Sequence, residues 1–255
     1  TLQPVYTYEA DVEQLRQNLG PRLQPGFVFL NIGASDGIVA DPIYPFMVSH
    51  QPRGIAVEPV PYVMERLKAN YRDFPGIIFE QVAVSETPRS FFYVEESSGS
   101  IDYVMRCIGS MSRDHLLATL SGLRAVEGQI GRAPPVPPET PLEARDAVHD
   151  GQAIVEDAEA HIREIEVECV SVATLMERNG LDHVDFVNID VEGFDDEVFW
   201  SIDWEHYRPT VICIELLGGG LAEDVVDGIQ ARLDDLGYRR VQSFGVFSLV
   251  YVRGD

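Results

Sequence analysis

Hydrophobic positions along the chain follow two rhythms. Short, largely apolar runs occur at 27–30, 54–57, 77–85, 167–170, 186–189 and 210–216, each bounded by glycine, proline or polar residues. Runs this short and this apolar predict strands buried on both faces of a parallel sheet. Between them, apolar residues recur three and four apart and predict helices. The helical stretches are 8–19 (Val12, Leu15, Leu19), 41–50 (Ile43, Phe46, Met47), 61–71 (Val63, Leu67, Tyr71), 171–179 (Val172, Leu175, Met176) and 222–236. Pro42 suits the first turn of its helix, and Gly20 and Gly237 close theirs. Strand and helix in alternation predict an α/β fold with right-handed crossovers. Residues 238–242, a turn at 243–245 and residues 246–252 predict a closing hairpin that adds antiparallel strands at one edge.

One segment interrupts the pattern. Residues 90–94 read as a further strand, and the alternation then fails across 95–166. This is expected to be an insertion within a single domain spanning 1–255. Inside it, 110–123 predicts a helix with Ser112 as its cap, the proline-rich stretch 133–141 a stiff connector, and the acidic stretch 142–166 a solvated helix. An insertion after the third strand lies over the carboxyl ends of the sheet, where a lid belongs.

Composition narrows the partners. The chain has 255 residues, 45% of them hydrophobic, enough for one full core. Its net charge is −23, with Lys68 the single lysine beside eighteen arginines. Such a field opposes nucleic acid and anionic membranes, so partners are expected to be neutral or cationic. Cys107, Cys169 and Cys213 are scattered and odd in number, as in reduced core residues of a cytoplasmic protein. No apolar run reaches the roughly 18 to 20 residues that span a bilayer, and the first residues show no signal-peptide core.

The chemistry gathers at strand ends. The first strand passes at Asn31 into a loop, NIGASDG, carrying Gly33 and Gly37, and the second ends in Glu58, 25 residues after Gly33. A loop of this kind holds nucleotide-like ligands in doubly wound folds, and a carboxylate at Glu58 can accept hydrogen bonds from a ribose diol. Neither G-x-G-x-x-G nor the phosphate-binding G-x-x-x-x-G-K-[ST] is present. Gly33, Ser35 and Gly37 follow instead the E/D-x-G-x-G-x-G rhythm of S-adenosylmethionine sites. Asp190 and Glu215 end strands expected to be neighbours, with Glu192 two residues further on. They are candidates for a Mg²⁺ site, for helix capping or cofactor orientation, or, at Asp190, for a general base. Asp195, Asp196 and Glu197 read as helix amino-terminal acids that favour the macrodipole. His115 and His149 fall in the insertion, from which a lid would swing one onto the acceptor. Trp200, Trp204 and Tyr207 suggest a sugar-stacking platform, although core packing is the expected role of the two tryptophans.

These residues together resemble the FkbM family of S-adenosylmethionine-dependent methyltransferases, over about 27–94 and 167–252. NIGASDG (31–37) looks like the family's D-x-G-A-N-x-G loop, and VNIDVEGFDDEVF (187–199) like its K-I-D-V-E-G-[FY]-E-x-x-[VL] stretch. Glu58-Pro59, the AVS at 83–85, Arg208-Pro209 and the IEL at 214–216 also fit. Asn31, Ser35 and Asn188 depart from the pattern, standing for its acid, asparagine and lysine. The resemblance implies a Rossmann-like class I methyltransferase fold, with a mostly parallel seven-stranded sheet and cofactor bound across the first two strands. It implies cofactor contacts from Asn31, Gly33, Ala34, Ser35, Asp36, Gly37, Glu58, Pro59, Gln81, Ala83 and Asp190. Asp190, Glu192 and His115 are the candidate catalytic residues, and Asp190, Glu215 and Glu192 the candidate ligands for Mg²⁺. The implied reaction is O-methylation of a sugar, a glycan or a glycosylated metabolite, so a small-molecule or oligosaccharide acceptor is expected; a homodimer is left open. A nucleotide-cofactor oxidoreductase and a non-catalytic cofactor-binding scaffold are the rival classes. The missing glycine fingerprint and the closing hairpin count against the first, Asp190 and Glu215 against the second.

Overall fold

The structure is a computed structural model that describes residues 8–38, 40–95, 109–120, 161–217, 221–245 and 247–254. In chain order it begins with α1 (Tyr8–Leu19), β1 (Val28–Ile32), a 3-10 turn at Tyr44–Phe46, α2 (Met47–His50), β2 (Arg53–Val57), α3 (Pro61–Asn70), β3 (Ile77–Glu80), β4 (Ala83–Val84) and β5 (Ser90–Val94). Next come β6 (Gly109–Ser110), a helix α4 at 113–120, β7 (Ile162–Glu166), β8 (Cys169–Val170), α5 (Val172–Arg178), β9 (Phe186–Ile189), α6 (Asp195–Ser201) and α7 (Trp204–Tyr207). β10 (Val211–Glu215), α8 (Glu223–Asp235), β11 (Tyr238–Phe244) and β12 (Ser248–Arg253) close the chain.

Seven strands among the described residues form the central sheet, in the order β11-β12-β10-β9-β1-β2-β3. From β3 to β10 neighbours run parallel, and β12 is antiparallel to both β10 and β11. The largely apolar runs follow from this layering. Leu30 and Ile32 of β1 enter one core with Val57, Val187 and Ile189, while Phe29 enters the other with Ala56, Phe186 and Cys213. Because side chains alternate along a strand and both faces are covered, every position must be apolar or internally bonded.

The structure departs from the expected pattern at three elements. Residues 41–50 form only a turn and one short helix, since Pro45 offers no N–H and disfavours a helical residue before it. The Asp41 carboxylate takes over, accepting from the Ile43 and Tyr44 N–H groups at 2.7 and 3.0 Å. The run 77–85 splits at Gln81-Val82: β3 stays in the main sheet, while β4 pairs with β8 in a separate two-stranded sheet. Residues 162–166, expected as solvated helix, are instead a strand paired antiparallel with β5, in a small sheet ordered β6-β5-β7. The insertion is thus rooted in a sheet at both ends, with Val94 opposite Ile162. The Ser112 cap is present, its Oγ accepting from His115 N at 3.2 Å. The 133–141 connector, the helix expected over 142–160, Cys107 and His149 lie outside the described residues.

Candidate active site

Two loops meet at the carboxyl ends of β1 and β9, and only glycine lets them meet. Gly33 has φ +80, and a Cβ there would stand 1.7 Å from the Asp190 carbonyl oxygen. Its N–H and that of Ala34 donate to the Val57 carbonyl at 3.1 and 2.8 Å, tying the loop to β2. Glu58 follows directly. Its carboxylate accepts from Ser35 N at 3.0 Å and Val60 N at 2.8 Å, so the backbone fixes its orientation. Burial pushes the Glu58 carboxyl up to about 7, against the pull of those two N–H groups.

The cleft beside these loops holds a cavity of about 150 Å³ that opens to solvent. Val57, Val82, Ala83, Phe91 and Met111 give it apolar walls suited to a flat ring, and Glu58, Asp190 and Glu192 are its charged members. Ser35, Ala40 and Glu192, three of the five described non-glycine residues with positive φ, all line it. Backbone strain of this kind concentrates at functional sites.

Of the cofactor residues expected from sequence, Gly33, Ser35, Glu58, Pro59, Ala83 and Asp190 line the cleft. Asn31, Ala34, Asp36, Gly37 and Gln81 do not. Asn31 is fully buried, donating through Nδ2 to Asp41 Oδ2 at 2.7 Å and accepting from Asn188 Nδ2 at 2.9 Å. Asp36 is also buried and accepts from Ile38 N, closing its own turn. Gly37, at φ +75, lies under Leu67 and Tyr71, whose hydroxyl donates to the Gly37 carbonyl at 2.7 Å. Ala34 is buried in the core, and Gln81 is exposed in the break after β3. Sequence reasoning missed Phe91, Gly109 and Met111 on the cleft wall, because only the fold-back of the insertion brings them there. Val57 and Val82 carried a usable signal, one preceding Glu58 and the other standing where a strand run breaks.

Acids gather beneath the cleft. Asp190, Asp195 and Glu215 each place an oxygen within 4.8 Å of the other two. The expected third acid, Glu192, is not one of this triad; Asp195 takes that place. Asp195 is fully buried, and its oxygens accept from Val191 N and Gly193 N at 3.0 and 3.1 Å. It therefore holds the Asp190–Gly193 loop closed, a role distinct from the macrodipole effect expected of it. Burial raises Asp195 to about 6, the two N–H groups opposing. Burial, and then the charges of Glu192 and Asp195, raise Asp190 to about 8. Glu215 is raised further, by burial and then by the Asp190 charge. Such a pair holds a shared proton at neutral pH unless a cation takes its place.

Glu192 stands at the rim with φ +56, its carbonyl accepting from Ser110 Oγ at 2.8 Å. His115 of α4 packs on Gly193, with Nε2 3.7 Å from Glu192 Oε2 and 3.2 Å from Thr119 Oγ1. The insertion thus already brings His115 to Glu192 without any swing. Of the tryptophans, Trp204 is core, its Nε1 donating to Phe199 O at 2.8 Å, but Trp200 is 53% exposed. The helix ends between them at Ser201, so their four-residue spacing does not give them one face.

The sheet order, the antiparallel hairpin and a cleft at the carboxyl ends of β1 and β2 are those of the class I methyltransferase fold. The sequence matches the methyltransferase FkbM domain over residues 31–240, and the chain belongs to that family. Solved structures with a similar fold include precorrin-6y C5,15-methyltransferase from Geobacter metallireducens GS-15, at 13% identity and TM-score 0.38, covering 99% of this chain and 93% of that one. Another is Aeropyrum pernix fibrillarin in complex with natively bound S-adenosyl-L-methionine, at 11% identity and TM-score 0.41, covering 96% of this chain and 74% of the other. No curated protein matches the chain. Among the described residues, no helix is long and apolar enough to cross a membrane.

Proposed function

We propose that the protein methylates a hydroxyl of a sugar, a glycan or a glycosylated metabolite. The observation that carries this reading is Asp190, a carboxyl that opens into the cofactor cleft with Glu192 and His115 at its rim. S-adenosylmethionine bound in the cleft supplies an electrophilic methyl group on a positively charged sulfur. Glu58 is set to take the ribose diol, and the slot formed by Val57, Val82 and Phe91 to take the adenine. Asp190, drawn toward its ionised form by a nearby cation, is placed to accept the hydroxyl proton as the new carbon–oxygen bond forms. Holding both reactants in line contributes on the order of 7 to 11 kcal/mol, and a positioned base roughly 10² to 10⁴ in rate. The described part of the insertion, β6 and α4, borders the acceptor side, through Gly109 and Met111 on the wall and His115 at the rim.

A second reading replaces the shared proton with Mg²⁺. Three convergent carboxylates, Asp190, Asp195 and Glu215, are an oxygen-only donor set of the kind this ion takes, and their mutual repulsion is what a divalent cation relieves. Held by these three, Mg²⁺ would supply Lewis acidity that lowers the pKa of the acceptor hydroxyl. Labelled methyl transfer to a panel of sugar acceptors, with and without chelator, tests both readings. Product in chelator that is lost in Asp190→Asn supports the base; turnover restored only by Mg²⁺ supports the metal. Transfer to none of the hydroxyl acceptors would overturn the sugar reading.

A further inference from the structure

The cleft has a consistent sign of charge. Its charged lining residues are Glu58, Asp190 and Glu192, and no lysine or arginine lines it among the described residues. Two of the three are engaged: Glu58 by the Ser35 and Val60 N–H groups, Asp190 by Glu215. Glu192 differs. Its backbone is pinned by Ser110 Oγ in a left-handed conformation, which holds its side chain at the rim, 23% exposed. His115 Nε2, at 3.7 Å, stands beyond ordinary hydrogen-bond reach of that carboxylate. The whole chain carries the same sign, at −23. A phosphorylated or carboxylated acceptor would enter against this field, and a neutral one would draw nothing from it.

We infer that the acceptor carries a protonated amine close to the hydroxyl that is methylated, as in an amino sugar, and that Glu192 is the residue that reads it. This rests on the hydroxyl-methylating reading above. An ammonium held by Glu192 keeps its nitrogen lone pair in an N–H bond, so that nitrogen is no nucleophile and the methyl group goes to oxygen. The carbon–sulfur bond breaks with its electron pair left on sulfur, the carbon–oxygen bond forms, and the hydroxyl proton passes to a carboxylate. The ammonium also acidifies the neighbouring hydroxyl by induction, which eases that proton's departure.

The test is calorimetric, on the full chain loaded with S-adenosylhomocysteine. The titrants are methyl glucoside, its 2-amino and 2-acetamido counterparts and the matching uronic acid, together with one non-sugar amino alcohol and its diol. The amine should bind about tenfold or more tightly than its hydroxyl parent, as a charge-assisted hydrogen bond provides, and the uronic acid most weakly. Glu192→Gln should bring the ratio of amine to parent affinity close to one. Equal affinity for amine and parent, or a ratio unmoved by Glu192→Gln, overturns the inference. An amine preference confined to the non-sugar pair would uphold it while removing the sugar reading. Turnover of any amine that binds should give an O-methyl product with a free amine by NMR; an N-methyl product also overturns the inference.

Discussion

Asn31 and Asn188 are two of the three positions at which the chain departs from its family's motifs, and the structure makes them partners. They face each other in register across β1 and β9, with Asn188 Nδ2 donating to Asn31 Oδ1. An acid and a lysine at these places would form a buried ion pair; here a neutral amide pair does the bonding and passes it on to Asp41. Asn31→Asp alone should cost about 3 kcal/mol or more, because a second carboxylate is buried beside Asp41 without a counter-charge. Adding Asn188→Lys should recover part of that loss in urea melts; a double variant no more stable than the single would show that the pair is not coupled. Glu58 gives a plainer expectation. Glu58→Ala should remove a charge-assisted bond of about 1.5 to 3 kcal/mol and weaken S-adenosylhomocysteine binding about 10- to 150-fold in calorimetry, with the fold intact. Gly33 and Glu58 were legible in the sequence because glycine freedom and a terminal carboxylate are local properties. The burial of Asn31 was not, because it depends on a partner 157 residues away.

At the scale of elements, strands and helices of the main sheet could be read directly from their periodicity, and the misses share a cause. Residues 162–166 are acidic enough to suggest a solvated helix, and their half-buried Ile162 and Ile165, three apart, fit one; the strand follows from pairing with β5, 68 or more residues away in sequence. The break in 77–85 likewise depends on a distant partner, β8. What these long-range pairings achieve is to bring β6 and α4 over the cleft. Ser110 is their hinge point, donating to the Glu192 carbonyl and accepting from Ser112 N at 3.1 Å. Ser110→Ala should leave both groups without a partner, at about 1 to 3 kcal/mol, and loosen the rim without touching the cofactor slot. Steady-state kinetics should show a raised KM for the acceptor beside an unchanged cofactor affinity. A loss confined to cofactor binding would place Ser110 elsewhere in the mechanism.

At the scale of the molecule, the site is a set of carboxyls whose ionisation is disfavoured by burial, inside a chain of net charge −23. Asp41 and Glu58 are raised to about 7, Asp195 to about 6 and Asp190 to about 8, while unfolded carboxyls titrate near 4. Between those values the folded chain binds more protons than the unfolded one, so stability is greatest in mild acid and falls as pH rises toward about 8. Self-repulsion acts in the same direction and is screened by salt. Thermal melts from pH 5 to 8 should show Tm falling, less steeply at high ionic strength; a rising Tm would contradict these assignments. The same linkage offers the most direct measurement of whether this cleft is where a cationic cofactor meets Asp190. Calorimetric titration at pH 7 in buffers of differing ionisation heat counts the protons released on binding. S-adenosylmethionine should favour the ionised carboxylates and release on the order of one proton more than S-adenosylhomocysteine, which lacks the sulfonium charge, and Asp190→Asn should shrink that difference. Equal proton counts for the two ligands in the unmodified protein would contradict the account.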